Sequence, residues 1–497
     1  MRILHIGQYH EVVGGAEVLR EQVLVGLEKR GHRNAFFGGS EERSIRSGRR
    51  RVIRRQDYDP EVLVRDGRFQ LELESFLAKF QPDVVHLHQA GGLPVDLYAQ
   101  LGETGLPLVE TVYDYGHFCP NSWSVHGDGQ ACQSRAGAEC FRHRCHDNYP
   151  FHAGTVWTTA ERLKYVREWV DVVICPTQDL VRRFAEAGFS DVQLQSYYPS
   201  TAELQPAAIA ERTPGRLLVI ARLVREKGVD HALKAFARFA RDWPEASLHV
   251  VGEGPERSGL ESLASRLKVG GQVRFLGHLD LPDTHAQMRE AQALLVPSIW
   301  MEALPLITFD ADALGLPIVA HAVGGLPEAV DAGRNGLLVQ PGNPDALAAA
   351  IREVVTDPHR QAHFASHGPE RVARCSPGSY LDGLEKAYLR ARERAASRSP
   401  GPRGSIDLDQ RVLLDRVMRH AGGMEKSLAS QASGSWDPIA KLRRRVSLKW
   451  RSTLGRFATE TLRRVGPQPM APSSAKSGVT EGAKDAQGAE LERRREA

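Results

Sequence analysis

The sequence predicts an α/β protein with two parallel-sheet domains followed by a basic, partly disordered C-terminal tail. Residues 293–330 carry the strongest signal: an apolar strand, an acidic loop, a helix, a second apolar strand and a glycine turn. This order predicts a βαβ unit. Apolar strands at 2–6 and 83–88 indicate a similar sheet in the N-terminal half, and 497 residues suffice for two such domains.

The domain boundaries follow from these elements. We expect an N-terminal domain over residues 1–206, with a cysteine-rich insert at 117–146, and a second domain over 212–376. Residues 377–396 are rich in Leu, Ala and Arg and predict a helix. Residues 401–497 then form the tail, where the composition changes.

The formal net charge of +4 belongs mainly to the tail. Residues 401–497 hold 19 Lys and Arg against 11 Asp and Glu, so the rest of the chain is net negative. The sequence has no interleaved basic and aromatic motif and no zinc-finger spacing, which argues against nucleic-acid binding. Its N-terminus enters a strand directly and no apolar run could span a bilayer, so we expect a cytoplasmic protein.

Residues 438–465 in the tail predict an amphipathic basic helix. Apolar side chains recur there at intervals of three and four, and Lys and Arg lie mostly on the other face. Such a helix suits an anionic membrane surface, which would make the protein peripheral at the inner face of the membrane. Docking on the body of the protein, or on a partner protein, is an equal alternative. From Gly466 onward the polar composition predicts disorder.

Two acids mark the βαβ unit as a candidate ligand site. Glu302 lies in the loop after the first strand, and Asp310 lies eight positions later in the helix. Open α/β sheets bind ligands at the carboxyl ends of their strands. Carboxylates accept hydrogen bonds and hydroxyl groups donate them, so the pair suits a sugar or a ribose. The alternative is an ordinary core helix with solvated acids.

Cations and glycines predict a site for a diphosphate. The strand at 217–220 delivers Arg222 and Lys227 onto a turn before a helix, where they can neutralise phosphate oxygens. Gly14 and Gly15 lie between a strand and a helix, where backbone N–H groups can approach a phosphate. Solvated surface charges and a tight turn are the respective alternatives.

The pattern of proline, glycine and acidic residues around the two acids resembles the signature of the retaining glycosyltransferases of family four, which have the GT-B fold. The matching residues are Glu302, Pro305, Asp310, Gly315, Pro317, Gly324, Gly325, Pro327 and Glu328. One departure is Asp310, because the family usually has Glu there. The loop GGAE at 14–17 and the segment with Arg222 and Lys227 also match the family's pattern.

The resemblance covers residues 1 to about 395. It implies two Rossmann-like domains facing across a cleft, with a nucleotide-activated sugar mainly on the second domain and an acceptor on the first. It also implies a retaining transfer that needs no metal, in which the leaving phosphate helps to deprotonate the acceptor. The helix at 377–396 would cross back to the first domain.

The resemblance also assigns roles to individual residues. Arg222 and Lys227 would bind the diphosphate, and Glu302 would bind sugar hydroxyl groups. The other donor-binding positions would be the backbone of Leu306 and Ile307 on phosphate, Asp310 on the ribose, Gly14 and Gly15 closing over the phosphates, and Gly252 and Gly254 at the nucleoside.

Three residues are candidates on the first domain. His88 ends a buried strand, and residues on one face of a strand alternate, so His86 shares its face. Tyr113 and Asp114 stand where the family often has a His-Asp pair beside the transferred sugar. A phenol both donates and accepts a hydrogen bond, so Tyr113 can still contact a sugar.

Four of the six cysteines fall in the insert, interspersed with histidines. In a cytoplasmic protein, clustering of this kind favours metal over disulfides. We expect Cys119, Cys132, Cys140 and Cys145 to hold a structural zinc ion. Unliganded thiols, disulfides and an iron–sulfur cluster remain alternatives, and catalysis itself requires no cofactor.

The functional prediction is a hexosyltransferase that acts on a glycan or lipid-linked acceptor, in bacterial surface polysaccharide or glycolipid synthesis. A nucleotide-sugar epimerase or a phosphorylase of similar fold is one alternative. A catalytically weak binding or assembly protein is another, motivated by Tyr113 and Asp310.

Overall fold

The computed structural model describes residues 1–10, 14–40, 45–46, 49–54, 67–89, 91–126, 130–143, 145, 153–199, 204, 206–207 and 212–398. The predicted tail at 401–497, with its amphipathic segment 438–465, lies outside the described residues.

The N-terminal domain is organised around one sheet. Its described strands are β1 (Arg2–Gly7), β2 (Arg33–Ser40), β3 (Ile45–Arg46), β4 (Arg50–Arg54), β5 (Val84–His88), β6 (Leu108–Thr111), β7 (Val172–Cys175) and β8 (Val192–Leu194). Their order is β3-β4-β2-β1-β5-β6-β7-β8. Neighbouring strands are parallel except β3 and β4. The strand order reverses between β1 and β5, and such switch points form ligand crevices.

Helices cover this sheet and begin and end at recognisable residues. They are α1 (Gly15–Lys29), α2 (Gly67–Phe80), α3 (Leu97–Glu103), α4 (Ala138–Arg142), α5 (Ala153–Trp169) and α6 (Gln178–Glu186). The Thr177 side chain accepts the Leu180 N–H and so caps α6. Gly31 follows the end of α1 with φ +86°, a conformation that glycine adopts without strain.

The second domain repeats the architecture with a fully parallel sheet. Its strands are β9 (Arg216–Ile220), β10 (Ser247–Val251), β11 (Val273–Gly277), β12 (Ala293–Val296), β13 (Ile318–His321) and β14 (Gly336–Val339). Their order is β11-β10-β9-β12-β13-β14, so the switch point lies between β9 and β12. The helices are α7 (Val229–Phe239), α8 (Arg257–Arg266), α9 (Leu281–Glu290), α10 (Ile307–Ala313), α11 (Leu326–Ala329), α12 (Pro344–Thr356) and α13 (Pro358–Val372).

The last described helix, α14 (Pro377–Ala396), returns to the N-terminal domain. It packs on α1 and on strands β5, β6 and β7. Leu381, Leu384, Tyr388 and Ala391 lie on its buried face, at the three-and-four spacing of an amphipathic helix. Burial of one large apolar side chain contributes about 1.5–3 kcal/mol, so this face holds α14 on the first domain.

The structure confirms the predicted α/β class with two Rossmann-like domains. Central parallel strands that are buried on both faces are rich in apolar residues, as in the four buried residues of β12. Among the helices of the described residues, none combines the length and the hydropathy that a membrane-spanning segment needs.

Candidate functional site

The candidate site lies at the switch point of the second domain. Strands β9 and β12 are parallel neighbours, so the loops that follow them leave the same edge of the sheet. The first loop carries Arg222 and enters a short 3₁₀ helix, Arg225–Lys227. The second loop carries Glu302. The fold therefore brings together residues that are 75 or more positions apart in the sequence.

Lys227 and Glu302 form a shielded ion pair. The Lys227 Nζ lies 2.6 Å from Glu302 Oε1, and the Ser298 hydroxyl donates to the same oxygen at 2.6 Å. The Lys227 ammonium also lies 4.6 Å from the centre of the Trp300 ring, within range of a cation–π interaction. Glu302 is only 6% exposed. Burial raises the pKa of Glu302, but the Lys227 charge and the hydrogen bonds outweigh it and leave the pKa below its usual value.

This ion pair predicts a pH-dependent stability. Because the folded pKa of Glu302 lies below the ordinary value of 4.5, the stabilisation is complete above about pH 4.5. It is lost as the pH falls through the folded pKa. We expect Glu302→Gln to lower the free energy of unfolding by roughly 2 kcal/mol at pH 7. The difference from the native chain should shrink on acidification, in denaturant titrations from pH 7 to pH 3.

The control for this experiment is Glu245→Gln, because Glu245 is exposed. Its effect on the free energy of unfolding should stay close to zero at every pH. A loss in Glu302→Gln that persisted unchanged at pH 3 would contradict the charged pair.

Arg222 is the available cation of the site. It is exposed, and among the described residues its guanidinium has no ion-pair or hydrogen-bond partner. An Arg guanidinium presents five N–H donors in a fork that matches phosphate oxygens. An available Arg222 and a positioned Lys227 suit a diphosphate in charge, and the diphosphate contact stays a prediction.

Gly252 and Gly254 support the backbone of the Arg222 loop. Gly252 has φ +128°, and a Cβ there would lie 1.9 Å from the carbonyl oxygen of Ala221. A Cβ on Gly254 would lie 2.4 Å from the carbonyl oxygen of Leu223, whose N–H donates to the Glu253 carbonyl at 2.8 Å. Only glycine allows the two loops to approach this closely. Their predicted contact with a nucleoside stays a prediction.

The predicted phosphate loops of the two domains meet in the structure. A Cβ on Gly15, the first residue of α1, would lie 3.1 Å from Leu306 Cδ1, and Leu306 precedes Ile307 at the start of α10. The Gly14 N–H donates to the Glu17 carboxylate at 2.9 Å, which orders the entry to α1. Glycine at position 15 is therefore what lets the first domain approach the second-domain loop.

The Asp310 side chain is buried. It is 2% exposed, and its Oδ2 lies 3.2 Å from His285 Nε2 on α9. Its neighbour Asp312 is structural, because it binds Arg371 and accepts from Asn335 at 2.8 Å. The predicted contact of Asp310 with a ribose stays a prediction.

The three first-domain candidates lie together at the ends of β5 and β6. The Tyr113 hydroxyl and His88 Nδ1 are 2.7 Å apart. Asp114 accepts the Gly116 N–H at 2.6 Å and also accepts from the Gln89 side chain. Burial raises the pKa of Asp114. A sugar contact for these residues stays a prediction.

The sequence reasoning missed three residues that shape the site: Ser298, Trp300 and Gln89. Ser298 and Trp300 precede Glu302 by four and two positions, so their place in the same loop was the available signal. Gln89 directly follows β5, and its side-chain oxygen accepts the Asp114 N–H at 2.8 Å. Gln89 is 25 positions from Asp114, so the sequence held no local signal that would join these two residues.

The cysteine insert lies beside the site. None of the six cysteines, all of which lie in the described residues, forms a disulfide bond. Burial raises the pKa of Cys119 to about 12 and of Cys140 to about 11, and neighbouring thiols add to both effects. Within the described residues, the sulfur atoms of the four predicted ligands do not all lie within 4.8 Å of one another. Four buried or half-buried thiols suit zinc in kind, and zinc binding by Cys119, Cys132, Cys140 and Cys145 stays a prediction.

The insert also touches the second domain. The Met301 N–H, next to Glu302, donates to the carbonyl oxygen of Trp123 at 3.0 Å. The Cys132 N–H donates to the Ser124 carbonyl at 2.7 Å, which closes the loop that presents Trp123. The insert therefore contacts the second domain at the loop that carries Glu302.

Family models match most of the chain. A model described as Glycosyltransferase Family 4 matches residues 13–195, and one described as Glycosyl transferases group 1 matches residues 202–371.

Curated proteins of this kind are similar in sequence. The chain is 32% identical over 260 residues to a glycogen synthase of Mycobacterium tuberculosis, which covers 50% of this chain and 60% of the relative. It is 30% identical over 235 residues to a GDP-mannose-dependent monoacylated alpha-(1-6)-phosphatidylinositol monomannoside mannosyltransferase of Corynebacterium glutamicum, covering 43% and 60%. The chain thus spans about 60% of the length of these two relatives.

Solved structures show the same fold. HepE of Anabaena, in complex with UDP, matches with a TM-score of 0.60 at 17% identity, over 78% of this chain and 100% of that one. Sucrose-phosphate synthase of Thermosynechococcus elongatus matches with a TM-score of 0.59 at 20% identity, over 80% and 100%. The matches over both domains, and the signature around Glu302, show that the chain belongs to the family four glycosyltransferases, the group 1 glycosyl transferases of GT-B fold.

Proposed function

We propose that the chain is a retaining glycosyltransferase that moves a hexose from a nucleoside diphosphate sugar to a glycan or lipid-linked acceptor. The observation that carries the proposal is the charge arrangement at the second-domain switch point. There an exposed guanidinium, Arg222, lies on the loop before the ion pair of Lys227 and Glu302.

The two cations stabilise the leaving group. As the bond to the sugar breaks, negative charge grows on the diphosphate, and groups already held in place stabilise that charge with little reorganisation. Arg222 and Lys227 carry out this role without a divalent metal. Lys227 is held in place by Glu302 and Trp300, so its ammonium is oriented before the donor arrives.

The remaining site residues hold the sugar and the nucleoside. Glu302 accepts hydrogen bonds from sugar hydroxyl groups, because its depressed pKa keeps it a carboxylate. The backbone of Leu306 and Ile307 binds phosphate, with Gly14 and Gly15 closing from the other domain. Asp310 binds the ribose after a shift that releases it from His285. The acceptor enters against the first domain, and its proton passes to the departing phosphate.

The acceptor class we propose is a bacterial surface polysaccharide or a glycolipid, made at the inner face of the membrane. The names of similar proteins support this class. One relative is the mannosyltransferase acting on a phosphatidylinositol mannoside, and one structural neighbour, WaaG, is described as a glycosyltransferase involved in lipopolysaccharide biosynthesis (TM-score 0.52).

A thermal-shift screen tests the donor site. The full chain and its Arg222→Ala variant are melted with UDP-, GDP-, ADP- and TDP-sugars. A ligand that binds only the folded state raises its stability, by about 2.7 kcal/mol at a hundredfold excess over the dissociation constant. We expect one nucleotide to raise the melting temperature of the native chain, and the variant to lose most of that shift.

Three other outcomes count against the proposal. No shift with any of the four would favour a binding or assembly protein. An equal shift in native chain and variant would place the diphosphate away from Arg222. Donor consumption without any acceptor would instead favour an epimerase.

A further inference from the structure

A chain of buried hydrogen bonds runs from the core of the first domain to Tyr113. His5 on β1 and His88 on β5 are on neighbouring strands at the switch point of that sheet. His5 Nε2 lies 3.3 Å from Asn34 Oδ1, His5 Nδ1 lies 2.9 Å from His88 Nε2, and His88 Nδ1 lies 2.7 Å from the Tyr113 hydroxyl. The proposed function assigns no role to the hydrogen-bonded residues Asn34, His5 and His88 behind Tyr113.

The direction of the chain is set at Asn34. The side-chain Nδ2 of Asn34 donates to the carbonyl oxygen of Leu24 at 2.6 Å. A carbonyl only accepts, so this contact requires the amide nitrogen and leaves Asn34 Oδ1 facing His5. His5 Nε2 must therefore carry a proton, and this N–H donates a hydrogen bond to Asn34 Oδ1.

The imidazole of His5 carries only one proton. It is fully buried, and this burial lowers the pKa of His5 to about 3, with the buried guanidinium of Arg20 acting in the same direction. Since the single proton is on Nε2, His5 Nδ1 is a bare acceptor. His88 Nε2 must then supply the proton for the bond between the two rings.

The His88 imidazole is neutral for the same physical reason. Burial lowers the pKa of His88 well below its usual value, and the neighbouring His86, His5 and Arg20 act in the same direction. His88 is therefore neutral, with its proton on Nε2 and a bare Nδ1. The Tyr113 O–H is the only partner of that nitrogen in the described residues, and it must donate.

We propose that Asn34, His5 and His88 act as positioning residues that keep the Tyr113 O–H directed at His88 Nδ1. The phenol oxygen then offers only lone pairs to the cleft. Tyr113 then binds a hydrogen-bond donor, a hydroxyl group of the transferred sugar. A phosphate oxygen is disfavoured at this position, because two acceptors cannot form a hydrogen bond.

The assignment to the sugar rests on the proposed function. Tyr113 is partly exposed, and it packs against the same apolar cluster as Leu306 and Ile307 of the second domain. Burial raises the pKa of Tyr113, and the negative charge of Glu17, in the first turn of α1 beside Gly15, acts in the same direction. Tyr113 therefore lies near the place where the two domains meet.

Nitrogen NMR of the full chain tests the order of protons directly, without substrate. The chain is labelled with ¹⁵N at histidine, and long-range proton–nitrogen spectra distinguish bare from protonated ring nitrogens. We expect both His5 and His88 to be neutral with the proton on Nε2. The Tyr113→Phe variant should shift only the Nδ1 signal of His88 strongly, which also assigns it. A proton on Nδ1 of either ring would overturn the proposal.

Calorimetric binding tests the sugar contact. UDP and UDP-glucose, or the GDP pair if the screen selects guanine, are titrated into native chain, Tyr113→Phe and Tyr197→Phe. Tyr197 is the matched control, because its phenol lies beside Tyr113 but donates to the Val112 carbonyl. We expect Tyr113→Phe to weaken the nucleotide sugar about tenfold relative to the native chain, with the nucleoside diphosphate unchanged.

The two possible failures are distinguishable. Equal affinities of Tyr113→Phe and native chain for the nucleotide sugar would overturn the Tyr113 contact while leaving the donor site intact. Absence of any nucleotide binding by the native chain would overturn the proposed function and the sugar contact with it. The NMR result would still decide whether the proton order is correct.

Discussion

Replacing Arg222 and Lys227 together by alanine is expected to slow sugar transfer by about 10³-fold or more. Removal of one preorganised group that stabilises developing charge costs about 10²–10³ in rate, and this variant removes two charges. The effect should fall on kcat, because the charge on the leaving diphosphate grows in the transition state. Steady-state transfer with the nucleotide sugar identified by the thermal screen measures it.

The single variants separate chemistry from stability. Arg222 is exposed and has no partner among the described residues, so Arg222→Ala should leave the melting temperature unchanged. Lys227→Ala leaves Glu302 buried without its cation, so it should also lower stability. Arg225→Ala is the matched control, because it removes an exposed Arg from the 3₁₀ helix that also contains Lys227. Near-normal turnover by the double variant would refute the diphosphate assignment.

Gly252→Ala is expected to destabilise the second domain by roughly 3 kcal/mol, since it combines backbone strain with a steric clash. The residue has φ +128°, and its new Cβ would lie 1.9 Å from the Ala221 carbonyl oxygen, which cannot rotate away. The displaced segment is the one that presents Arg222. Denaturant titration should therefore show lost stability, and calorimetry should show weaker nucleotide binding.

Gly259→Ala provides the matched comparison. Gly259 lies on α8, a Cβ there meets no atom within 4 Å, and its φ is ordinary. The same change should leave the chain unaffected or stabilise it by about 0.4–1 kcal/mol. Equal stability of the two glycine variants would show that the turn at Gly252 adapts, and would remove the structural reason for glycine there.

The sequence by itself determined the fold class and the local position of most candidate site residues. Apolar runs bounded by glycine and proline located the strands, because a strand buried on both faces must be apolar. Glu302 could be assigned to the loop after β12 because the strand before it and the helix after it are local patterns. Arg222 and Lys227 were found for the same reason, as charges on a turn between a strand and a helix.

Only the tertiary structure decided which of these residues meet. Lys227 pairs with Glu302 because β9 and β12 are neighbours, and no local period in the sequence encodes that strand order. His5 and His88 meet across 83 positions for the same reason, at the switch point of the other sheet. Asp310 illustrates the limit, since its spacing predicted only that it lies near the crevice, and the structure alone shows that it is buried beside His285 of α9. Contacts between distant residues depend on sheet order and helix packing, which are set by the burial of the whole core.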